Sequence, residues 1–231
     1  MPTALKVALF DLDATLTDHS AALARWAEEF AQENDIPLAW LQEADQRNAT
    51  RHGFFADIKA TFGKTTSILA MHADYRRRSA ELVPHRPDIC AAIKSLTDDG
   101  WALGVVTNGS PTTQRTKLEV SQLDTYFNST VISGEIGPRK PSRALFLLAL
   151  DELHAGPDTW AVMVGDQLAT DIVGGTRAGL RTVWVADGQV LRADDPAPTH
   201  TVQTVIEAVE WLHTAPALDR TEFDLSDSAG R

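Results

Sequence analysis

The stretch KVALFDLDATLTDH, residues 6–19, decides the fold. Its apolar run VALF predicts a short buried strand, and Asp11 and Asp13 follow that strand directly. Alternation along a strand places both carboxylates on the same face, where they repel each other. Burying them is costly unless another part of the chain supplies a counter-charge. The question raised by this stretch is therefore where that charge comes from.

After residue 84 the sequence alternates between strand-like and helix-like segments. The strand-like segments are WALGVVTNG, STVISGE, TWAVMVGDQ and RTVWVAD. Strands that alternate with helices of about 10 to 15 residues are typical of βαβ units in a parallel sheet. We therefore predict an α/β fold with a doubly wound parallel sheet, whose ligand site lies at the carboxyl ends of the strands.

The block between the first strand and the rest of the sheet has a helical pattern throughout. In SAALARWAEEFAQEN, apolar residues recur at helical spacing, and no convincing strand interrupts the block. We predict that it is an inserted, all-helical cap domain of residues 19–83. The core domain then comprises residues 1–18 and 84–213, and residues 214–231 form a flexible tail.

Composition argues against several classes of protein. The chain carries 21 Lys and Arg against 32 Asp and Glu, a formal net charge of -11. Such an acidic chain is not expected to bind nucleic acid or an anionic membrane. A single cysteine, Cys90, and a start that makes a poor signal peptide lead us to expect a cytoplasmic protein.

Polar residues cluster where the predicted strands end. Because these ends share one edge of a parallel sheet, residues far apart in sequence can converge there. The residues concerned are Asp11, Asp13 and Thr15; Thr107, Asn108 and Gly109; Lys140; and Asp166 with Asp171.

These residues, in this order and spacing, resemble the four motifs of the haloacid dehalogenase superfamily. DLDAT matches the first motif, DxDx[TV], and GDQLATD matches the fourth, GDxxxxD. Thr107 at the end of a hydrophobic strand and Lys140 before Pro141 match the second and third. The position of the helical insert resembles the superfamily's C1 cap subclass, which includes phosphoglycolate phosphatase-like and nucleotidase-like enzymes. Ala14 departs from the pattern, since many relatives carry Gly, Asp or Asn there.

The resemblance implies a magnesium-dependent phosphatase that forms an aspartyl phosphate. A carboxylate that attacks a phosphate dianion meets a repulsion of about 8 kcal/mol at 4 Å when the effective dielectric constant is near 20. A hard cation such as Mg²⁺ can cancel that repulsion. The implied roles are Asp11 as nucleophile, Asp13 as general acid and base, and Lys140 as the charge that screens both nucleophile and phosphate. Phosphate would be bound by Thr107, Asn108, Gly109 and Lys140, and Mg²⁺ by Asp11, the Asp13 backbone carbonyl, Asp166 and, indirectly, Asp171.

Asp13 indicates which of the superfamily's reactions to expect. Dehalogenases of the superfamily do not need an acid at this position, so Asp13 favours phosphoryl chemistry. We expect hydrolysis of a phosphomonoester, with a small phosphorylated metabolite as substrate and a monomer or homodimer as the active form. The alternatives are a phosphomutase or a 2-haloacid dehalogenase of the same superfamily. A non-catalytic phosphoacceptor or binding module is a further alternative, from a different class of protein.

Overall fold

The computed structural model describes residues 5–215 and contains a six-stranded sheet in the order β3-β2-β1-β4-β5-β6. All five strand pairings are parallel. This confirms the predicted doubly wound α/β fold. The strands are β1 (Lys6–Phe10), β2 (Trp101–Thr107), β3 (Ser129–Ile132), β4 (Trp160–Gly165), β5 (Arg181–Val185) and β6 (His200–Val202).

β1 lies in the middle of the sheet because its apolar run packs on both faces. Val7, Ala8, Leu9 and Phe10 are fully buried. Phe10 pairs with Val105 of β2 on one side and with Val164 of β4 on the other. The strand order therefore changes direction between β1 and β4, which is the place where doubly wound sheets bind ligands.

Ten α-helices accompany the sheet in residues 5–215. α5 and α10 cover one face of the sheet and α8 the other. The helices are α1 (His19–Asn34), α2 (Leu38–Arg47), α3 (Arg51–Phe62), α4 (Ile68–Glu81), α5 (Pro87–Asp98), α6 (Pro111–Val120), α7 (Ser133–Ile136), α8 (Arg143–Glu152), α9 (Val173–Arg177) and α10 (Val205–Thr214). None of them is both long and apolar enough to cross a membrane.

The last strand-like segment in the sequence pattern is RTVWVAD, so that pattern predicts no strand after β5. The structure instead has the three-residue strand β6 before α10. So short a strand, with only Val202 of its residues buried, leaves no periodic signal to detect. Residue 214 still belongs to α10, and the predicted tail lies outside the described residues from residue 216 onward.

The four helices α1 to α4 have a hydrophobic core of their own. Trp26 is 2% exposed and lies at its centre, with ring centroids 4.8 Å from Phe30 and 4.9 Å from Tyr75. Phe54 and Phe55 pack against the same indole. We propose that these helices form the cap domain, stabilised by a cluster separate from the cores on the two sheet faces.

Replacing Trp26 by alanine tests the importance of this cluster. Trp26→Ala should lower the free energy of unfolding by about 3–5 kcal/mol, because a large buried aromatic side chain leaves a cavity. Leu69→Ala is the control, since Leu69 is 78% exposed on α4. Urea denaturation of both variants measures the difference. Equal stability of the two variants would contradict a core centred on Trp26.

Candidate active site

The counter-charge for Asp11 is the ammonium of Lys140. Lys140 Nζ lies 2.7 Å from Asp11 Oδ1 and 2.7 Å from Asp171 Oδ1. All three residues are buried. A buried cation is stable only beside such partners, and breaking the arrangement would leave uncompensated buried charges. Lys140 therefore holds the nucleophile candidate and Asp171 in one ionic cluster.

Asp171 is positioned by a π-helical turn over Leu168–Ile172. The backbone N–H of Gln167 donates to Asp171 Oδ2 at 3.0 Å. The carboxylate also packs against Gly165 so closely that a Cβ there would collide with it. Glycine at the end of β4 is thus required for Asp171 to reach Lys140.

Asp166 completes a group of three carboxylates at the edge of the sheet. The Thr15 hydroxyl donates to Asp166 Oδ1 at 3.4 Å, and the Gln167 side-chain amide donates to Asp166 Oδ2. Oxygen atoms of Asp11, Asp166 and Asp171 all lie within 4.8 Å of one another. Three carboxylates at this separation are a donor set that fits a hard divalent cation such as Mg²⁺.

Burial raises the pKa of all three carboxyls. The pKa of Asp11 rises to about 6 because of burial, although Lys140 opposes the rise. Burial also raises the pKa of Asp166 to about 6, against the hydrogen bond from Gln167. Clustered carboxyls with raised pKa values favour a cation that removes the cost of ionisation.

Asp13 has a different environment from Asp11. Lys117 Nζ lies 2.6 Å from Asp13 Oδ1, and the Gln114 side-chain amide donates to Asp13 Oδ2 at 3.1 Å. Burial acts to raise the pKa of Asp13, but the ion pair with Lys117 and the bond from Gln114 outweigh it and lower that pKa. Each of the two neighbouring aspartates thus has its own lysine.

The predicted phosphate-binding residues lie beside this pair. Thr107 Oγ1 accepts a hydrogen bond from Gln114 Nε2 at 2.7 Å. The Asn108 side chain accepts from the Lys140 backbone N–H at 2.9 Å, and so fixes the loop that carries Lys140. The Gly109 N–H donates to Ser133 Oγ at 3.1 Å. Thr107 and Asn108 are therefore joined directly to the two charged clusters, whereas the Gly109 N–H already has a partner.

A cavity of about 500 Å³ opens beside Asp13, between α4 and the start of α6. His19 Nδ1 is buried and has no hydrogen-bond partner among residues 5–215. Lining residues that bear charge or hydrogen-bonding groups are Asp13, His19, Tyr75, Arg76, Ser79, Asn108, Ser110, Thr113, Gln114, Lys117 and Arg139.

Sequence reasoning missed Gln114 and Lys117. Both belong to α6, and their spacing of three residues places them on the same face of that helix. The signal that could have identified them is this spacing, directly after Thr107-Asn108-Gly109. A helix that begins beside a site places the side chains of its first turns close to that site. A polar helix such as TTQRTKLEV otherwise suggests a solvent-exposed face.

Ala14 has a left-handed backbone conformation, with φ of 58°. The turn around it is held by hydrogen bonds from the Ala14 N–H to the Thr17 carbonyl and from the Leu16 N–H to the Leu12 carbonyl, each of 3.0 Å. Such a φ costs an L-residue about 1–2 kcal/mol relative to glycine. This accounts for the Gly, Asp or Asn that the resemblance leads one to expect at the position.

Fold and site together define an α/β protein with a doubly wound parallel sheet and a cluster of three carboxylates that follow the carboxyl ends of β1 and β4. A model of the family "Haloacid dehalogenase-like hydrolase" matches residues 8–185. The chain belongs to this family.

Several relatives of the chain are phosphatases. A phosphoserine phosphatase from Thermus thermophilus is 33% identical over 178 residues, covering 77% of this chain and 68% of that protein. A glyceraldehyde 3-phosphate phosphatase from Methanopyrus kandleri is 33% identical over 215 residues, covering 84% of this chain and 91% of that protein. Family and relatives together support a phosphatase as the class of enzyme, as the sequence predicts.

Solved structures agree on the fold. The HAD-hydrolase YfnB from Bacillus subtilis, bound to magnesium, has a TM-score of 0.76 at 24% identity, covering 91% of this chain and 99% of that one. L-2-haloacid dehalogenase from Xanthobacter autotrophicus has a TM-score of 0.67 at 16% identity, with coverages of 92% and 100%. The fold is thus shared with a HAD hydrolase bound to magnesium and with a haloacid dehalogenase.

Asp166→Asn tests the electrostatics of the carboxylate group. In the unfolded chain Asp166 ionises near its ordinary pKa of 3.8, whereas in the metal-free fold its pKa is about 6. Ionised Asp166 therefore destabilises the fold increasingly as pH rises from about 4 through 6, and asparagine lacks this cost. The variant should melt at a higher temperature than the wild type at pH 7 and show little difference at pH 4, with EDTA present.

With Mg²⁺ in place of EDTA at pH 7, the wild type should melt at a higher temperature than Asp166→Asn, because the ion stabilises the wild type more than the variant. Asp194→Asn, which changes an exposed loop residue, is the control. Thermal melts of the three proteins give the comparison. An equal effect of Mg²⁺ on wild type and Asp166→Asn would contradict a metal ligand at this position.

Proposed function

We propose that the protein is a magnesium-dependent phosphomonoester hydrolase that acts through an aspartyl-phosphate intermediate. The observation that carries this proposal is the separation of Asp11 and Asp13 into two ionic environments, with Lys140 beside one and Lys117 beside the other. A nucleophile and a proton shuttle need such different surroundings on one strand end. The phosphatases among its relatives support the same chemistry.

The reaction has two steps. Asp11 attacks phosphorus through a carboxylate oxygen, and the bond from phosphorus to the leaving oxygen breaks. Because the Asp13 carboxyl is ionised beside Lys117 beforehand, it takes up a proton from solvent when the substrate binds and passes that proton to the leaving oxygen. Water then attacks the phosphorus of the aspartyl phosphate, gives a proton to Asp13, and the bond between phosphorus and Asp11 breaks. Release of this proton to solvent with the phosphate product restores both carboxyls to their starting states.

The residues proposed to hold Mg²⁺ are Asp11, the backbone carbonyl of Asp13 and Asp166, with Asp171 acting indirectly through Lys140. When bound, the ion offsets the negative charge of nucleophile and phosphate. Lys140 adds a fixed positive charge on the other side of Asp11. Thr107, Asn108 and the N-terminus of α6 supply hydrogen-bond donors and a favourable dipole for phosphate oxygens, and Gly109 joins them if its N–H exchanges Ser133 for the ligand.

The cavity beside Asp13 supports a small, polar phosphorylated metabolite as substrate. Arg76 from α4 and Arg139 from the loop before α8 are exposed at its lining, and His19 offers an unpartnered ring nitrogen. Phe54 and Phe55 are buried in the cap core and offer no face for stacking a ring. We therefore favour a leaving group with hydroxyl or anionic substituents over an aromatic base.

The alternatives have less support. Asp13 and its bonds to Lys117 and Gln114 favour phosphoryl chemistry over dehalogenation, although the dehalogenase fold is similar. A phosphomutase shares these residues and remains the second candidate. A non-catalytic phosphoacceptor or binding module has no use for a proton shuttle. We place the enzyme in the cytoplasm as a monomer or homodimer, without nucleic-acid or membrane partners.

Asp11→Asn tests the nucleophile. The variant should fold but lose turnover of p-nitrophenyl phosphate to below detection, because an amide cannot form the phosphoenzyme. A screen of sugar phosphates, phosphoglycolate, phosphoserine and nucleoside monophosphates with Mg²⁺ should identify substrates of the wild type only. Asp194→Asn serves as the matched control. Full activity of Asp11→Asn, or activity of the wild type that survives exhaustive EDTA treatment, would refute the mechanism.

Asp13→Asn tests the proton shuttle. Turnover should fall by about 10²–10⁴-fold, the usual contribution of a general acid and base. Substrate binding should change far less, so KM should stay close to the wild-type value. Rapid-quench detection of a phosphoenzyme that accumulates in this variant would distinguish slow hydrolysis of the intermediate from a failure to form it. An unchanged kcat would exclude the assigned role.

A further inference from the structure

The ammonium of Lys117 is unusually placed for a helix residue with no role in the family motifs. Its side chain is 6% exposed, and among the described residues its ion-pair partner is Asp13, at 2.6 Å. Burying a lysine is costly, and an apolar residue at this position would fill the space without that cost. The contact with Asp13 is therefore the reason to expect a buried lysine at position 117.

We propose that Lys117 and Gln114 are positioning residues that hold the Asp13 carboxyl in the orientation needed for proton transfer. The proposal rests on the function proposed above, since it assigns Asp13 the role of proton shuttle. Lys117 fixes one carboxylate oxygen and Gln114 the other. Both oxygens are thus held by donors from α6, whereas Asp11 is held by Lys140.

Gln114 links this orientation to the phosphate-binding strand end. Its side chain is 1% exposed and packs against Gly109, where any Cβ would come within 2.8 Å of it. An ionised carboxylate only accepts hydrogen bonds, so the nitrogen of the amide must face Asp13. The same nitrogen donates to Thr107 Oγ1 at 2.7 Å, which leaves the Thr107 hydroxyl proton available for a phosphate oxygen. One amide therefore orients both the proton shuttle and a phosphate ligand.

Kinetics with two different leaving groups distinguish a positioning role from a purely structural one. A structural ion pair would affect stability and leave the chemistry unchanged. A positioning residue affects the step in which Asp13 transfers a proton, and it does so most when the leaving group needs that proton. p-Nitrophenyl phosphate has a good leaving group that needs little protonation, whereas phenyl phosphate has a poor one of similar size.

Lys117→Met should therefore lower kcat for phenyl phosphate by about 10²-fold, the cost typical of a misplaced catalytic group. The loss for p-nitrophenyl phosphate should be much smaller, and KM should change little for both substrates. Lys117→Arg should restore part of the lost kcat, because it keeps the positive charge. Lys94→Met is the matched control, since Lys94 on α5 pairs with Asp98 at 2.7 Å in an exposed position.

A double-mutant cycle tests whether Lys117 acts through Asp13. In an Asp13→Asn background, Lys117→Met should cause no further loss with phenyl phosphate. If Lys117→Met does not fold, as judged by circular dichroism, Gln114→Leu removes the other donor and should produce the same difference between the two substrates. A folded variant with an equal loss for both substrates, or with a loss confined to KM, would overturn the positioning role. Inactivity of the wild type toward every phosphomonoester would instead refute the proposed function.

Discussion

The buried ammonium of Lys140 is the interaction on which the site depends. Asp11 and Asp171 lie on neighbouring segments at the end of the sheet, and both carboxylates are buried within 2.7 Å of Lys140 Nζ. Their positions follow from the pairing of β1 with β4, which sets Asp11 beside the turn that carries Asp171. Without this cation, the fold would enclose like charges at its centre, and no apolar packing around them could compensate.

The same constraint explains why the site contains two lysines. One cation cannot hold Asp11 beside Asp171 and also keep Asp13 oriented toward the cavity. Lys117, from a helix on the other side of Asp13, satisfies the second requirement, and Gln114 connects it to Thr107. Asp11 and Asp13, the proposed nucleophile and proton shuttle, lie two residues apart in sequence, yet they belong to different hydrogen-bond networks.

The sequence predicts those parts of the site that come at the ends of strands. Asp11, Thr107 and Asp166 each follow or end an apolar run, and the topology of a parallel sheet brings such residues together. Lys117 and Gln114 could not be found in the same way, because on a polar helix a functional residue has the same pattern as a solvated one. The strand β6 escaped detection because of its length, and the φ of Ala14 is a property of the turn that no pattern of residue types expresses.

The Trp184 indole provides an internal optical reporter of the site. It is 1% exposed on β5, and its N–H donates to the backbone carbonyl of Asp166 at 2.8 Å. Indole emission depends on the electric field and the hydrogen bonding around the ring. Any ligand that binds Asp166 therefore changes the surroundings of this chromophore. Replacing the other five tryptophans with phenylalanine would leave a fluorophore that reads the occupancy of the site without an added label.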